Sequence, residues 1–417
     1  MTNLEQTLAG DSDVEARQFV GRERTAWAML AIVLLFSIAA PLNQFKVPPI
    51  MPLLMGAFNL PVGQAGLLMS VYAFTGVILA LPSGLIFQKA GYRITGLLAG
   101  VTIVLGSGLG AISHGLGMLL ASRVIEGAGT SFMAVLAPAI IAQWFRARRR
   151  GTAMGIWSAW VPLGSTVMFV AAPALAQSGS QVAPLGSWRA VWWVGAVYGA
   201  AVTLLYVAAV RPAPGAPGEP AQAGAARVST GEVLRNRNIW LLAVAFGCFN
   251  LMFGALATYL PTFLNIVRGL TLARAALLAG ITTFVTIFSC PAGGLVSDRL
   301  GSRRRLIALG LILAGVLLAL CGAAKGAWYI LVALLAGLFM GLVPTNIFAS
   351  AVEAAGDGRR SGLAMAMIAA GQNAGLLLGP VVFGSLIEST GGWPAAFVSL
   401  AIVAMLGAAA GWLARTR

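Results

Sequence analysis

Polar residues are sparse along this chain and fall in short bursts between long apolar runs. A helix needs about 20 predominantly apolar residues to cross the hydrocarbon core of a bilayer. Runs of that length occur at 26–56, 62–87, 94–113, 117–145, 152–176, 189–210, 239–265, 273–297, 305–324, 328–352, 362–387 and 393–414. The pattern predicts an all-α integral membrane protein with 12 transmembrane helices. Connections are short except between Arg211 and Asn238, where "RPAPGAPGEPAQAGAA" reads as a flexible linker. The expected organisation is a tail over 1–25, a six-helix bundle over 26–210, a linker over 211–238 and a second six-helix bundle over 239–417.

Composition says what surrounds those helices. The chain is 59% hydrophobic and 9% charged, against about 25% charged in a soluble protein, so the solvent is lipid. A net charge of +15 invites a nucleic-acid reading, but the basic residues are confined to short clusters between apolar runs, which excludes one. Of 27 Lys and Arg, 21 fall on the side of the N-terminus, four on the opposite side, and two, Lys46 and Arg123, inside apolar runs. Basic loops stay in the cytoplasm, so both termini are expected there, in a multi-pass protein of the inner (plasma) membrane. The polar N-terminus up to Arg24 is no cleavable signal peptide. Three cysteines inside apolar stretches and the single His114 in a short outer loop make no disulfide framework, metal site or catalytic constellation. Neither an enzyme, a cofactor nor a metal is expected.

The two halves repeat each other. Gly84, Lys89, Gly91 and Arg93 answer to Gly294, Arg299, Gly301 and Arg303, each 210 residues later, while Gln88 faces Asp298. Arg149 and Arg150 correspond to Arg359 and Arg360, and "GSWRAVWW" before run 6 echoes "GGWPAAFV" before run 12. An even number of spans gives both copies the same orientation, hence parallel repeats about an axis along the membrane normal.

These residues resemble the major facilitator superfamily over essentially the whole chain. The family's loop signature is met fully by the second copy and departs at Gln88 in the first; "RVIEGAG" is similar to its Arg-x-x-x-Gly element, here Arg123 and Gly127. "LNQFKVPPIMPLL" is loosely similar to the cyanate-permease-like and anion:cation symporter branches. The resemblance implies two pseudo-symmetric bundles that rock about a central site. Segments 1, 4, 7 and 10 would line the cavity, 2, 5, 8 and 11 would flank it, and 3, 6, 9 and 12 would face lipid. It also implies that the repeated loop phrases act as latches between states, with Gly84, Gln88, Lys89, Gly91, Arg93, Gly294, Asp298, Arg299, Gly301 and Arg303 as gating residues. The charge on Asp298 and its absence at Gln88 would make the second latch the stronger; alternatively the arginines are topology signals alone.

Polar side chains in hydrocarbon are costly and turn towards protein or a wet cavity. Lys46 lies three residues after Asn43, on one helix face, and is followed by Pro48, Pro49 and Pro52, which remove backbone donors. It either holds a substrate anion or snorkels to the headgroups. Arg123 and Glu126 are three apart on segment 4 and can pair. Glu126 is a candidate proton carrier beside Arg123, or half of a structural ion pair. Lys46, Asn43, Arg123, Asn250, Tyr259, Asn346, Asn373 and Trp160 are the candidate substrate contacts, with Tyr72, Trp157 and Gln372 as further polar or aromatic side chains. The intramembrane charges sum to one net positive, which favours an anion. Glycines four apart (106/110, 337/341, 371/375/379) are read as close-packing devices. The expected function is that of a monomeric secondary transporter for proton-coupled uptake of a small organic anion by rocker-switch alternating access. The alternatives are a proton-exchanging exporter of amphiphilic compounds and a membrane sensor or scaffold that moves nothing. Segment 5, "WVPLGSTVMFV", lacks the antiporter signature of drug exporters.

Overall fold

A computed structural model of the chain describes residues 2–145, 147–179, 188–211, 230–355 and 358–414. The side chains of residues 2–22, Gln88, Asp298, Arg359 and Arg360 are outside those described, as is most of the expected linker. Among the described residues 12 helices are long and apolar enough to span a membrane. They are Glu23–Phe58, Val62–Leu79, Lys89–Ala111, Leu116–Ile141, Thr152–Ser178, Arg189–Ala209, Arg237–Ile266, Leu272–Ser297, Arg303–Cys321, Gly326–Ala355, Leu363–Thr390 and Trp393–Leu413, here called spans 1 to 12. Each corresponds to one apolar run of the sequence, and no strand accompanies them among the described residues. Helices are what lipid permits, because every backbone N–H and C=O must find its partner inside the segment.

Spans 1–6 and spans 7–12 form two bundles of the same construction. Gly127 of span 4 sits where a Cβ would lie 2.3 Å from the Tyr72 carbonyl oxygen of span 2. Gly337 of span 10 sits where a Cβ would lie 2.5 Å from the Thr282 carbonyl oxygen of span 8. Both members of the second contact lie 210 residues after those of the first, so the sequence repeat is also a packing repeat. Within the second bundle Gly371, Gly375 and Gly379 carry span 11 along span 7, where added Cβ atoms would meet the carbonyl oxygens of Ala243, Gly247 and Leu251 at 2.2, 2.2 and 2.3 Å. The glycine stripes read from the sequence are these helix contacts.

The repeated loop phrases turn on glycine. Gly91, in the first turn of span 3, has φ 71° and ψ −178°, a conformation open in practice to glycine alone. Gly301, between spans 8 and 9, closes span 8 with φ 62° and ψ 17° in the left-handed region. Gly294 lies under span 10, its Cβ position 3.3 Å from Thr345 Cγ2, whereas Gly84 meets nothing within 4 Å. Arg303 pairs with Glu353 at the end of span 10, and Arg149 pairs with Glu23 at the start of span 1. Each of these ion pairs stays within its own bundle. Lys89, Arg93 and Arg299 are exposed.

The bundles meet through span 2 against span 11, span 5 against span 8, and the last turns of span 1 against span 7. At the end away from the termini the Tyr259 hydroxyl donates to the Val62 carbonyl at 2.7 Å, and Gly63 N–H donates to Glu388 Oε1 at 2.9 Å. Gly384 allows this approach: a Cβ there would stand 2.9 Å from Gly63 Cα. Below, Phe45 of span 1 meets Phe253 of span 7 edge-on at 5.8 Å between centroids.

Candidate functional site

Span 1 is not one continuous helix. Its first helix ends at Gln44, and a 3-10 turn from Pro48 to Ile50 and a short helix from Met51 to Phe58 complete the crossing. The prolines explain the break. Proline at 48 has no N–H for the Gln44 carbonyl, so a helical carbonyl is left without its partner inside the membrane.

Arg123 of span 4 supplies the missing donors. Its Nη2 donates to the Gln44 carbonyl at 2.9 Å and its Nη1 to the Asn43 carbonyl at 2.7 Å. Nε donates to the Leu68 carbonyl of span 2 at 3.0 Å, and Nη1 also reaches Glu126 Oε2 at 2.6 Å. Nη2 lies 3.9 Å from Met69 Sδ. All five guanidinium hydrogens thus have acceptors. The guanidinium rests 4.5 Å over the Tyr72 ring, and Tyr72 in turn donates to the Ala40 carbonyl and contacts Thr130.

Lys46 sits in the break itself. Nζ donates to Asn43 Oδ1 at 2.8 Å, to Ser107 Oγ of span 3 at 2.8 Å and to Glu126 Oε1 at 2.6 Å. It lies 4.6 Å over the Trp192 ring of span 6. Ser107 Oγ is also placed to donate to the Trp192 carbonyl at 2.7 Å or to Asn43 Oδ1 at 3.0 Å. Asn43, Lys46, Ser107, Arg123 and Glu126 are all fully buried. Three glycines make the room. Added Cβ atoms at Gly106, Gly110 and Gly195 would stand 2.7 Å from Glu126 Cγ, 2.2 Å from Trp192 and 2.3 Å from Asn43 Oδ1.

The charge count of one net positive therefore holds as a single cluster, with Glu126 bridging two cations. In this conformation both cations are committed to protein acceptors. The sequence pointed to Lys46, Asn43, Arg123 and Glu126 and missed Ser107 and Trp192. Spans 3 and 6, expected at the lipid face, contribute these two fully buried residues. A serine between two spaced glycines in "GSGLG" was the available signal.

The other candidates lie elsewhere. Tyr259 is fully buried at the contact between bundles described above. Asn250 donates to its own helix at the Phe246 carbonyl, 2.8 Å. Asn346 does the same at the Leu342 carbonyl, 2.7 Å, and its buried Oδ1 has no hydrogen-bond partner among the described residues. Trp160 stacks on Trp157 at 5.3 Å, and Trp157 Nε1 donates to Ser37 Oγ. Asn373 of span 11 is half-buried, and a Cβ on Gly76 of span 2 would approach its Oδ1 to 2.9 Å. No group of three or more His, Cys, Asp or Glu side chains that could hold a metal occurs among the described residues.

Comparison with known proteins places this architecture. The sequence profile of the Major Facilitator Superfamily matches residues 33–361 and 303–417. A hexuronate transporter of Bacillus subtilis is 24% identical over 376 residues, which cover 85% of this chain and 87% of that protein. A probable sulfoacetate transporter of Cupriavidus necator is 24% identical over 403 residues, covering 90% and 91%. Among solved structures, a bacterial homologue of the human lysosomal transporter Spinster, in an inward-facing and unoccupied conformation, superposes with a TM-score of 0.77. It has 17% identity, over 94% of this chain and 97% of that one. The profile spans more than half of the sequence and the helical architecture agrees with it: this chain is a transporter of the Major Facilitator Superfamily.

Proposed function

We propose that the protein imports a small organic anion across the inner (plasma) membrane, coupled to protons, by alternating access between its two bundles, with both termini in the cytoplasm. The observation that carries this reading is the buried cluster of Lys46, Arg123 and Glu126, whose formal charge is one net positive. Low dielectric around the cluster would let that charge act on an anion held between the bundles. The relatives named for hexuronate and sulfoacetate support an anionic cargo. Asn373 and Trp160, both half-buried, are the side chains nearest in kind to what a carboxylate with a polar body needs: an amide donor and a flat apolar surface. Lys46 and Arg123 act on the anion through their field in the conformation described here, and Asn43 fixes the lysine. Tyr259, Gly63 and Glu388 hold the bundles together at the end away from the termini, which supports access from the other end in this conformation. The protein works as a monomer, each bundle being complete in itself.

The test is uptake by the purified protein in liposomes. Labelled glucuronate, presented outside with an inward proton gradient, accumulates above its external concentration, and collapsing the gradient with a protonophore abolishes the excess. Accumulation indifferent to the gradient, or driven by the opposite gradient, would refute proton-coupled import.

A further inference from the structure

The cluster contains a candidate proton carrier that the charge pattern of the sequence did not single out. Both oxygens of Glu126 already accept charged N–H donors, from Lys46 and Arg123, at 2.6 Å each. A proton added to Glu126 would weaken both of these charge-assisted bonds. It would also raise the charge of a fully buried cluster from one positive to two. Arg123 keeps its proton in any protein environment.

Lys46 can lose one without leaving any group unsatisfied. As an ammonium it gives three hydrogens to three acceptors: Asn43 Oδ1, Ser107 Oγ and Glu126 Oε1. As an amine it has two hydrogens and a lone pair. The two hydrogens suffice for Asn43 and Glu126, and the Ser107 hydroxyl turns to donate to the lone pair. No backbone has to move. The charged or titratable groups around Lys46 are Glu126 and Arg123 from span 4 and, on the far side of Arg123, the Tyr72 phenol of span 2. Spans 3 and 6 bring Ser107 and the Trp192 ring.

We propose that the Lys46 amine is the proton-carrying group of the transport cycle and that Arg123 and Glu126 are a fixed pair. The proposal rests on the reading of the protein as a proton-coupled anion importer and deepens it. With Lys46 protonated, the cluster and a monovalent anion in the cavity sum to zero. With the anion gone and Lys46 neutral, the cluster alone sums to zero. Both forms that cross between states are then uncharged, as a membrane interior favours. The bond that breaks on release is Nζ–H, the proton goes to water with the departing anion, and the electron pair stays on nitrogen. Phe45, the residue before Lys46, meets Phe253 of the other bundle. Parting of the bundles at that contact opens the break in span 1 to water, where the amine recovers its proton.

Trp192 reports the proton directly, because an ammonium 4.6 Å over its ring shifts indole emission and an amine does not. The experiment is a pH titration of tryptophan fluorescence of the full-length protein in detergent, with W192F subtracted. We expect a single-proton transition that is absent in K46Q and in K46R and survives, displaced, in E126Q. A transition that persists in both lysine variants and vanishes in E126Q puts the proton on Glu126 and overturns the proposal. So does a wild-type signal that is flat across the neutral and alkaline range. Size-exclusion profiles show that each variant is folded, and the two lysine variants stand in for each other. In liposomes, one unit of pH gradient drives about tenfold accumulation of a monoanion at one proton each; K46Q and K46R bring that ratio to unity. Failure of the wild type to take up glucuronate would count against the substrate reading, while the fluorescence titration still decides where the proton sits.

Discussion

Arg123 replaced by lysine keeps the charge and removes the fork, and the structure says what that must do. The guanidinium serves three backbone carbonyls, of Asn43, Gln44 and Leu68, besides Glu126. A lysine ammonium has three hydrogens. With one on Glu126, it can serve two carbonyls at most, and without the fork it cannot span Asn43 and Gln44 as Nη1 and Nη2 do, so a buried carbonyl at the break in span 1 is expected to lose its donor. A stranded buried acceptor costs about 1–3 kcal/mol, and loss of the bidentate geometry adds to it. The cause lies in span 1, where Pro48 deprives Gln44 of its helical donor. Pro48→Ala restores an N–H at that position. The expected result is therefore non-additive: Arg123→Lys lowers the unfolding temperature clearly in the wild type and by about half as much in Pro48→Ala, a coupling of roughly 1 kcal/mol. Scanning fluorimetry in detergent at one fixed heating rate measures all four proteins, the rate being fixed because membrane proteins unfold irreversibly. If Arg123→Lys matches the wild type, or if its effect is the same in both backgrounds, then the arginine is not there to cap the broken helix.

Other substitutions follow from the same geometry. Gly195→Ala places a Cβ 2.3 Å from Asn43 Oδ1 and should destabilise by about 1–3 kcal/mol through overpacking. Gly108→Ala on span 3, with nothing within 4 Å, should be neutral or stabilising by up to about 1 kcal/mol; the same thermal assay separates them. Gly91→Ala should cost about 1–3 kcal/mol and more than Gly301→Ala, which meets only the left-handed penalty of about 1–2 kcal/mol; the reverse order of unfolding temperatures would refute the reading of the two turns. Tyr259→Phe removes a buried hydrogen bond between the bundles, about 0.5–1.5 kcal/mol. It should shift the population towards opening at that end by roughly 2–10-fold, read as longer spin-label distances between Leu60→Cys and Leu386→Cys.

How much of this was legible in the sequence depends on what kind of signal each feature leaves. The spans were legible because lipid imposes a length and an apolarity that few other constraints mimic. The repeat was legible because glycine at 91 and 301 answers to positive-φ turns, at 91 one that glycine alone meets well. The charged cluster was half legible: Lys46, Arg123 and Glu126 stand out in hydrocarbon, so their presence pointed to an interior site. Their mutual arrangement did not stand out, because Lys46 is 80 residues from Glu126 and nothing in one-dimensional spacing brings spans 1, 3, 4 and 6 together. Ser107 and Trp192 were invisible for another reason. Serine and tryptophan are ordinary in membrane helices, and only the glycines that let them approach mark their positions. The neutral amides Asn250 and Asn346 read as candidate substrate contacts; in this conformation Asn250 donates to its own helix, and Asn346 to its own helix and to the Gly293 carbonyl of span 8, an option the sequence alone does not reveal.

The repeat also explains why the described residues hold one buried charged cluster and not two. At 210 residues beyond Arg123 and Glu126 the chain carries Ala333 and Ala336, both fully buried. Span 7, the counterpart of span 1, runs unbroken from Arg237 to Ile266, with its proline only at 261, near the far end. Without a break there is no stranded carbonyl for an arginine to cap, and without the arginine a buried carboxylate would stand uncompensated. The three features therefore come together or not at all: prolines open the helix, arginine caps the opening, and glutamate balances arginine. Lysine enters last, into space that the break and three glycines provide, and it is the one member whose charge can change while every neighbour keeps a partner. Among the described residues, a scaffold built twice thus carries its buried Lys–Arg–Glu cluster once. On the proposed assignment of the proton to Lys46, a single titrating amine would give one coupling event per cycle.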